Sequence, residues 1–148
     1  MALDGLNSIL KDHGLIGCVE PLGFIECSLR LKAEAIAAID AVNGAKRFKV
    51  THDTFHHFVA GEKDVFATRT GLIHVSGVTD KKHTAATMRD AQRVLVDAHD
   101  MIDNRGQVRK LMADGYKGYV SFEPFAAEVH KSKMIARELA RSMDYLEG

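Results

Sequence analysis

The sequence has no excess of either charge. Twenty Lys and Arg stand against 20 Asp and Glu in 148 residues, and neither sign runs in blocks. A nucleic-acid or membrane-surface role therefore has no electrostatic support. No apolar run is long enough for a membrane-spanning helix. The opening Met1-Ala2-Leu3-Asp4-Gly5 lacks the basic and apolar blocks of a signal peptide. Cysteine is limited to Cys18 and Cys27, both in or near an apolar stretch. Two buried, reduced thiols in a cytoplasmic protein is the expectation. No Gly-rich phosphate fingerprint follows any apolar run, which removes the best support for a doubly wound nucleotide-binding sheet. What is present is ordinary for a globular chain: 46% hydrophobic and 27% charged residues. Disorder is excluded, and the length fits a single domain over 1–148.

Four short apolar runs read as buried strands: Leu15 to Pro21, Arg47 to Asp53, Gly71 to Val78 and Tyr119 to Phe125. They are rich in Val, Ile and Phe without clear alternation, the pattern of strands covered on both faces. Helical spacing fills the intervals. Leu29 to Asn43 carries Leu31, Ala35, Ile36, Ile39 and Val42 and stops at Asn43-Gly44. Asn104 to Asp114 places Val108, Leu111 and Met112 on one face. Ser132 to Leu146 places Ile135, Leu139, Met143 and Leu146 likewise, with Ser132 as the expected N-cap. A helix over Leu3 to Lys11 opens the chain, and Gly61 to Thr68 has room for a short one. One helix followed by four βα units implies an α/β fold with parallel strands. A complete (β/α) barrel needs eight units and about 250 residues, so periodicity leaves half a barrel and a small open sheet both in play.

The strand ends favour the half barrel. In parallel α/β folds the chemistry collects at the C-terminal ends of strands. Here those ends read Cys18-Val19-Glu20-Pro21, Thr51-His52-Asp53-Thr54, Ile73-His74-Val75-Ser76 and Ser121-Phe122-Glu123-Pro124. An ionisable group in an apolar strand is costly unless paired or bound to metal. A lone one is usually a satisfied core residue, but four at equivalent positions point to one shared site. Glu20, Asp53, His74 and Glu123 make three carboxylates and an imidazole. This set suits one divalent cation, Mn2+ first, with Mg2+, Co2+ and Zn2+ as the alternatives.

The runs Val-Glu-Pro-Leu-Gly (19–23), His-Asp-Thr-Phe-His-His (52–57), Leu-Ile-His-Val-Ser-Gly (72–77) and Ser-Phe-Glu-Pro-Phe (121–125) resemble the last four strands of the xylose isomerase-like TIM barrels. That superfamily includes sugar and sugar-phosphate isomerases, epimerases, inosose dehydratases and AP endonucleases. The resemblance covers essentially the whole chain and implies the C-terminal half of such a barrel. It implies Glu20, Asp53, His74 and Glu123 as the metal set. It also implies Glu20 and Glu123 as catalytic proton carriers and His56, three residues after Asp53, as a catalytic contact to a substrate oxygen. The implied reaction is isomerisation, epimerisation or dehydration of a small keto-sugar, sugar phosphate or inosose. In it the cation stabilises an enediolate while carboxylates move the proton.

Departures from the family pattern narrow the reading. The AP endonuclease branch carries Asp-x-His soon after the third-strand His, where this chain has Asp80-Lys81-Lys82-His83. Some epimerases place an Arg six residues after that His, where this chain has Asp80. Arg93, in the loop Asp90 to Val96, is the candidate substrate-binding arginine, its bland alternative being a salt bridge. His13, His83, His99 and His130 are expected in solvent, His52 behind the sheet, and His57 either there or in the cleft. Lys81 and Lys82 read as a solvated pair. Four units alone expose two sheet edges and the apolar inside of the barrel. The expected partners are therefore a small carbohydrate and either a second copy or a separate half barrel, with no nucleic acid or membrane. A truncated or non-catalytic half barrel is the alternative.

Overall fold

The computed structural model describes residues 2–148. Its centre is a four-stranded, wholly parallel sheet in the order β1-β2-β3-β4. The strands are β1 (Gly17–Val19), β2 (Phe48–Asp53), β3 (Thr70–Val75) and β4 (Val120–Phe122). Helices α1 (Ala2–Asp12), α2 (Lys32–Ala41), α3 (Thr54–Ala60), α4 (Asn104–Ala113), α5 (Ala127–His130) and α6 (Ile135–Glu147) complete the chain. This is the expected half barrel of four βα units behind an opening helix.

Strand alternation decides which side chains face the helices. On β2, Phe48 and Val50 turn outward against Ala35 and Ile39 of α2, and Leu3 and Leu10 of α1 join that cluster. On β3, Ile73 and Val75 pack against Val108 and Leu111 of α4, with Tyr145 and Leu146 of α6 at the edge. Phe55 and Val59 of α3 meet Val78, Met88 and Ile102 from the long segment after β3. Each fully buried Val, Leu, Ile, Phe or Met among these contributes about 1.5–3 kcal/mol, so the outer layer carries most of the apolar core.

The opposite, inner face differs from the sequence expectation. Cys18 on β1 and Ser121 on β4 are exposed, and Tyr119 and Ile16 are 85% and 51% exposed. The outer strands are therefore not covered on both faces, whereas Thr51 and Asp53 of β2 are buried on this one; Cys18 is not buried and Cys27 is only partly so. A sheet of four strands cannot curl far enough to bury its own concave side. The two outer strands are also shorter than predicted, at three residues each, because each bonds to a neighbour on one side only.

Two helix expectations change. No helix spans 61–68. Instead α3 begins at Thr54 directly after β2, with Asp53 as its N-cap, and closes at Gly61 in the left-handed region (φ 67°). The 3-10 turn Ala67–Arg69 lies beyond. Ser132 does not cap α6, whose first residue is Ile135; its Oγ accepts instead from the Met134 N–H at 3.0 Å.

Candidate metal centre

Each predicted ligand is placed by a strand end. Glu20 follows β1, where Pro21 ends the ladder. Asp53 is the last residue of β2, and its Oδ1 accepts the His56 backbone N–H at 2.9 Å as the cap of α3. His74, in β3, lies in register with Asp53 on one side and Ser121 on the other. Glu123 follows β4, with its N–H donated to the Val75 carbonyl at 2.9 Å. The four offer ligand atoms that all lie within 4.8 Å of one another. His74 Nδ1 stands between the glutamates, 3.2 Å from Glu20 Oε1 and 3.4 Å from Glu123 Oε2. Three oxygens and one imidazole nitrogen converge with a side open to solvent, which fits a single hard or borderline divalent cation.

Electrostatics show how crowded this corner is. Burial pushes the Asp53 and Glu123 carboxyls above their ordinary range, against the opposing pull of Arg93 and, for Glu123, of His74. Burial also pushes Glu20 upward, but the His74 hydrogen bond and the charges of His74, His56 and Arg93 outweigh it and hold it low. The Glu20 hydrogen bond and the neighbouring carboxylates raise His74, against burial. Among the described residues no second group of this kind gathers.

His56 and Arg93 join the site from behind. His56 is buried, flanked edge-on by the rings of Phe24 and Phe55. Burial and the neighbouring Arg93 charge push its pKa down to about 4, so the ring is neutral at pH 7. Arg93 is 1% exposed. Its Nη2 donates to Asp53 Oδ2 at 2.5 Å and to Glu123 Oε2 at 2.8 Å. The sequence reading included a salt bridge for Arg93; one partner, Asp90, is three residues away at 3.1 Å, while Asp53 and Glu123 lie 40 and 30 residues away and no local pattern marks them.

A second polar cluster, behind the sheet, had no sequence signal. Lys32 is buried and pairs with Glu62 at 2.8 Å, and its Nζ lies 2.6 Å from His57 Nδ1. Glu62 also accepts from the N–H groups of Lys32 and Ala33, so it caps α2. Arg30, just before α2, donates to the Gly23 carbonyl and to the Val59 and Ala60 carbonyls at the C-terminal end of α3. His57 therefore faces Lys32, and His52 lies behind the sheet as expected, bonded to Gln107 at 2.9 Å. His13, His99 and His130 are exposed and His83 is partly so; Lys81, Lys82 and Asp80 are exposed too.

The xylose isomerase-like TIM barrel profile matches residues 1–146. The chain belongs to that family. A xylose isomerase domain-containing protein from Salmonella typhimurium LT2 shares 32% identity, with a TM-score of 0.89 over 99% of this chain and 56% of that one. The IolI protein, crystallised with a zinc atom, shares 19% identity and a TM-score of 0.83 over 97% of this chain and 53% of its own. The 3-keto-D-glucoside 4-epimerase of E. coli shares 20% identity and a TM-score of 0.64 over 98% and 50%. The last two likenesses concern the fold alone. This xylose isomerase-like chain spans about half the length of the solved structures it matches. No curated protein matches the sequence. Among the described residues no helix is long and apolar enough to cross a membrane.

Proposed function

We propose that the chain is the cation-binding half of an isomerase or epimerase acting on a small keto-sugar, sugar phosphate or inosose. The observation that carries this is the convergence of Glu20, Asp53, His74 and Glu123 within 4.8 Å. Those four would hold the ion, Mn2+ first, and a divalent cation there supplies positive charge against the oxygens of a hydroxy-ketone. Glu20 and Glu123 flank His74 from opposite sides. They are the groups placed to take a proton from one face of a substrate carbon and return one to the other. His56, neutral at pH 7, is the group proposed to contact a substrate oxygen. Solved relatives that include an epimerase support the class of reaction. The test is wash-in of solvent deuterium into a panel of keto-sugars and inososes with Mn2+ present. Glu123→Gln should abolish exchange at unchanged circular dichroism, and exchange that persists in this variant refutes the assignment.

The open inner face and the half-length match favour a companion reading, in which catalysis needs a second half barrel or a second copy. Light scattering with and without Mn2+ tests it. A strictly monomeric, Mn2+-indifferent chain supports a non-catalytic half domain instead.

A further inference from the structure

A guanidinium has five N–H donors in a rigid fork, and in Arg93 all five are committed. Nε donates to Ser76 Oγ at 2.8 Å. Nη1 faces Asp90 Oδ1 at 3.1 Å and His56 Nε2 at 3.4 Å. Nη2 takes Asp53 Oδ2 and Glu123 Oε2. The group sits between the rings of Phe55 and Phe125, 5.0 and 4.8 Å from their centroids. Its own backbone carbonyl accepts from the N–H groups of Phe125 and Ala126 at 2.9 and 2.8 Å. Arg93 is thus pinned to the segment that follows Glu123, and its fork spans carboxylates from β2 and β4. No N–H is left over for a sugar oxygen.

We infer that Arg93 is a positioning residue, an internal cation that holds Asp53 and Glu123 in place and limits the site to one divalent ion. The inference rests on the cation site proposed above. Arg93 already takes one oxygen each of Asp53 and Glu123, so a second divalent ion would have to share the two carboxylates that the guanidinium occupies and would stand against its positive charge. By bonding Nε2 of His56, Arg93 also leaves the proton of that neutral ring on Nδ1.

Charge and positioning predict opposite signs, which makes the role measurable. If Arg93 only diluted the negative field, removing it would tighten Mn2+ binding. As a positioning residue, its removal loosens two ligands and weakens binding. Arg93→Met keeps an apolar stem between Phe55 and Phe125, and Arg93→Lys restores the charge without the fork. Mn2+ affinity and the Mn2+ EPR spectrum of the purified chain are the readouts, with circular dichroism as the fold control. Wild type should bind one Mn2+ with the resolved hyperfine pattern of an isolated ion. Arg93→Met should bind at least about tenfold more weakly, with Arg93→Lys between the two. Equal or tighter binding by Arg93→Met, or a coupled Mn2+ pair in wild type, overturns the inference. Should Arg93→Met fail to fold, Arg93→Lys decides alone: weaker binding supports the role and unchanged affinity overturns it. A wild-type chain that takes up no Mn2+ refutes the cation site itself, a distinguishable outcome.

Discussion

Replacing Glu62 with Gln strands a buried ammonium. Lys32 and Glu62 are 4% and 10% exposed and 2.8 Å apart, and removing one partner of a buried pair costs roughly 3–5 kcal/mol. The α2 N–H groups keep an acceptor in the amide oxygen, so the capping loss is a fraction of the usual ~1 kcal/mol. Lys32 has an escape that sets a ceiling. From an ordinary value of 10.5, shedding its proton at pH 7 costs about 4.8 kcal/mol. The expected loss at pH 7 therefore lies between about 3 and 5 kcal/mol. The sign of its pH dependence follows from a lowered folded-state pKa, which penalises the fold wherever the unfolded lysine is still protonated. Raising the pH from 7 to 9 should then return part of that loss to the variant relative to wild type. Urea denaturation followed by circular dichroism at both pH values measures this. A loss below about 1 kcal/mol at pH 7, or a penalty that grows with pH, refutes the account of the cluster.

Acid should destabilise the protein well before its carboxylates titrate. Burial, with the positive charge of Lys32 for His52 and His57 and of Arg93 for His56, holds His52 down to about 3 and His56 and His57 to about 4. Below pH ~6.5 the unfolded chain takes up protons that these rings refuse, so each histidine that stays neutral lowers stability by about 1.4 kcal/mol per unit toward pH 4; a flat urea midpoint between pH 6.5 and 5 contradicts this. A Cβ on Gly23 would run into the His56 carbonyl oxygen and the Ala60 nitrogen. Gly23→Ala should therefore push the segment after Glu20 off α3 at about 1–3 kcal/mol, and an unchanged melting temperature shows that the contact is slack.

The four candidate ligands were legible because each is an ionisable residue ending an apolar run, and parallel strands gather their C-terminal ends. The start of α3 was not. In Thr51-His52-Asp53-Thr54-Phe55 the strand runs into the helix without a loop, and one continuous buried stretch hides the change of period. The bonds from Arg93 to Asp53 and Glu123 and the Lys32–Glu62 pair were equally hidden, since each joins residues 30 or more positions apart. The bare concave face escaped notice for a different reason. Apolar strands read the same whether or not the chain itself supplies their cover.

Asp53 and His74 stand side by side on the two central strands; His74 has ladder partners on both flanks, Asp53 and Ser121, while Asp53 is held on its free side by the Arg93 fork. Glu20 and Glu123 follow the two outer strands, each braced on one flank only. In the reading proposed above, whatever pairs with the free edges of β1 and β4 adds hydrogen bonds beside Glu20 and Glu123, and so acts on the spacing of the candidate ligands without contributing one.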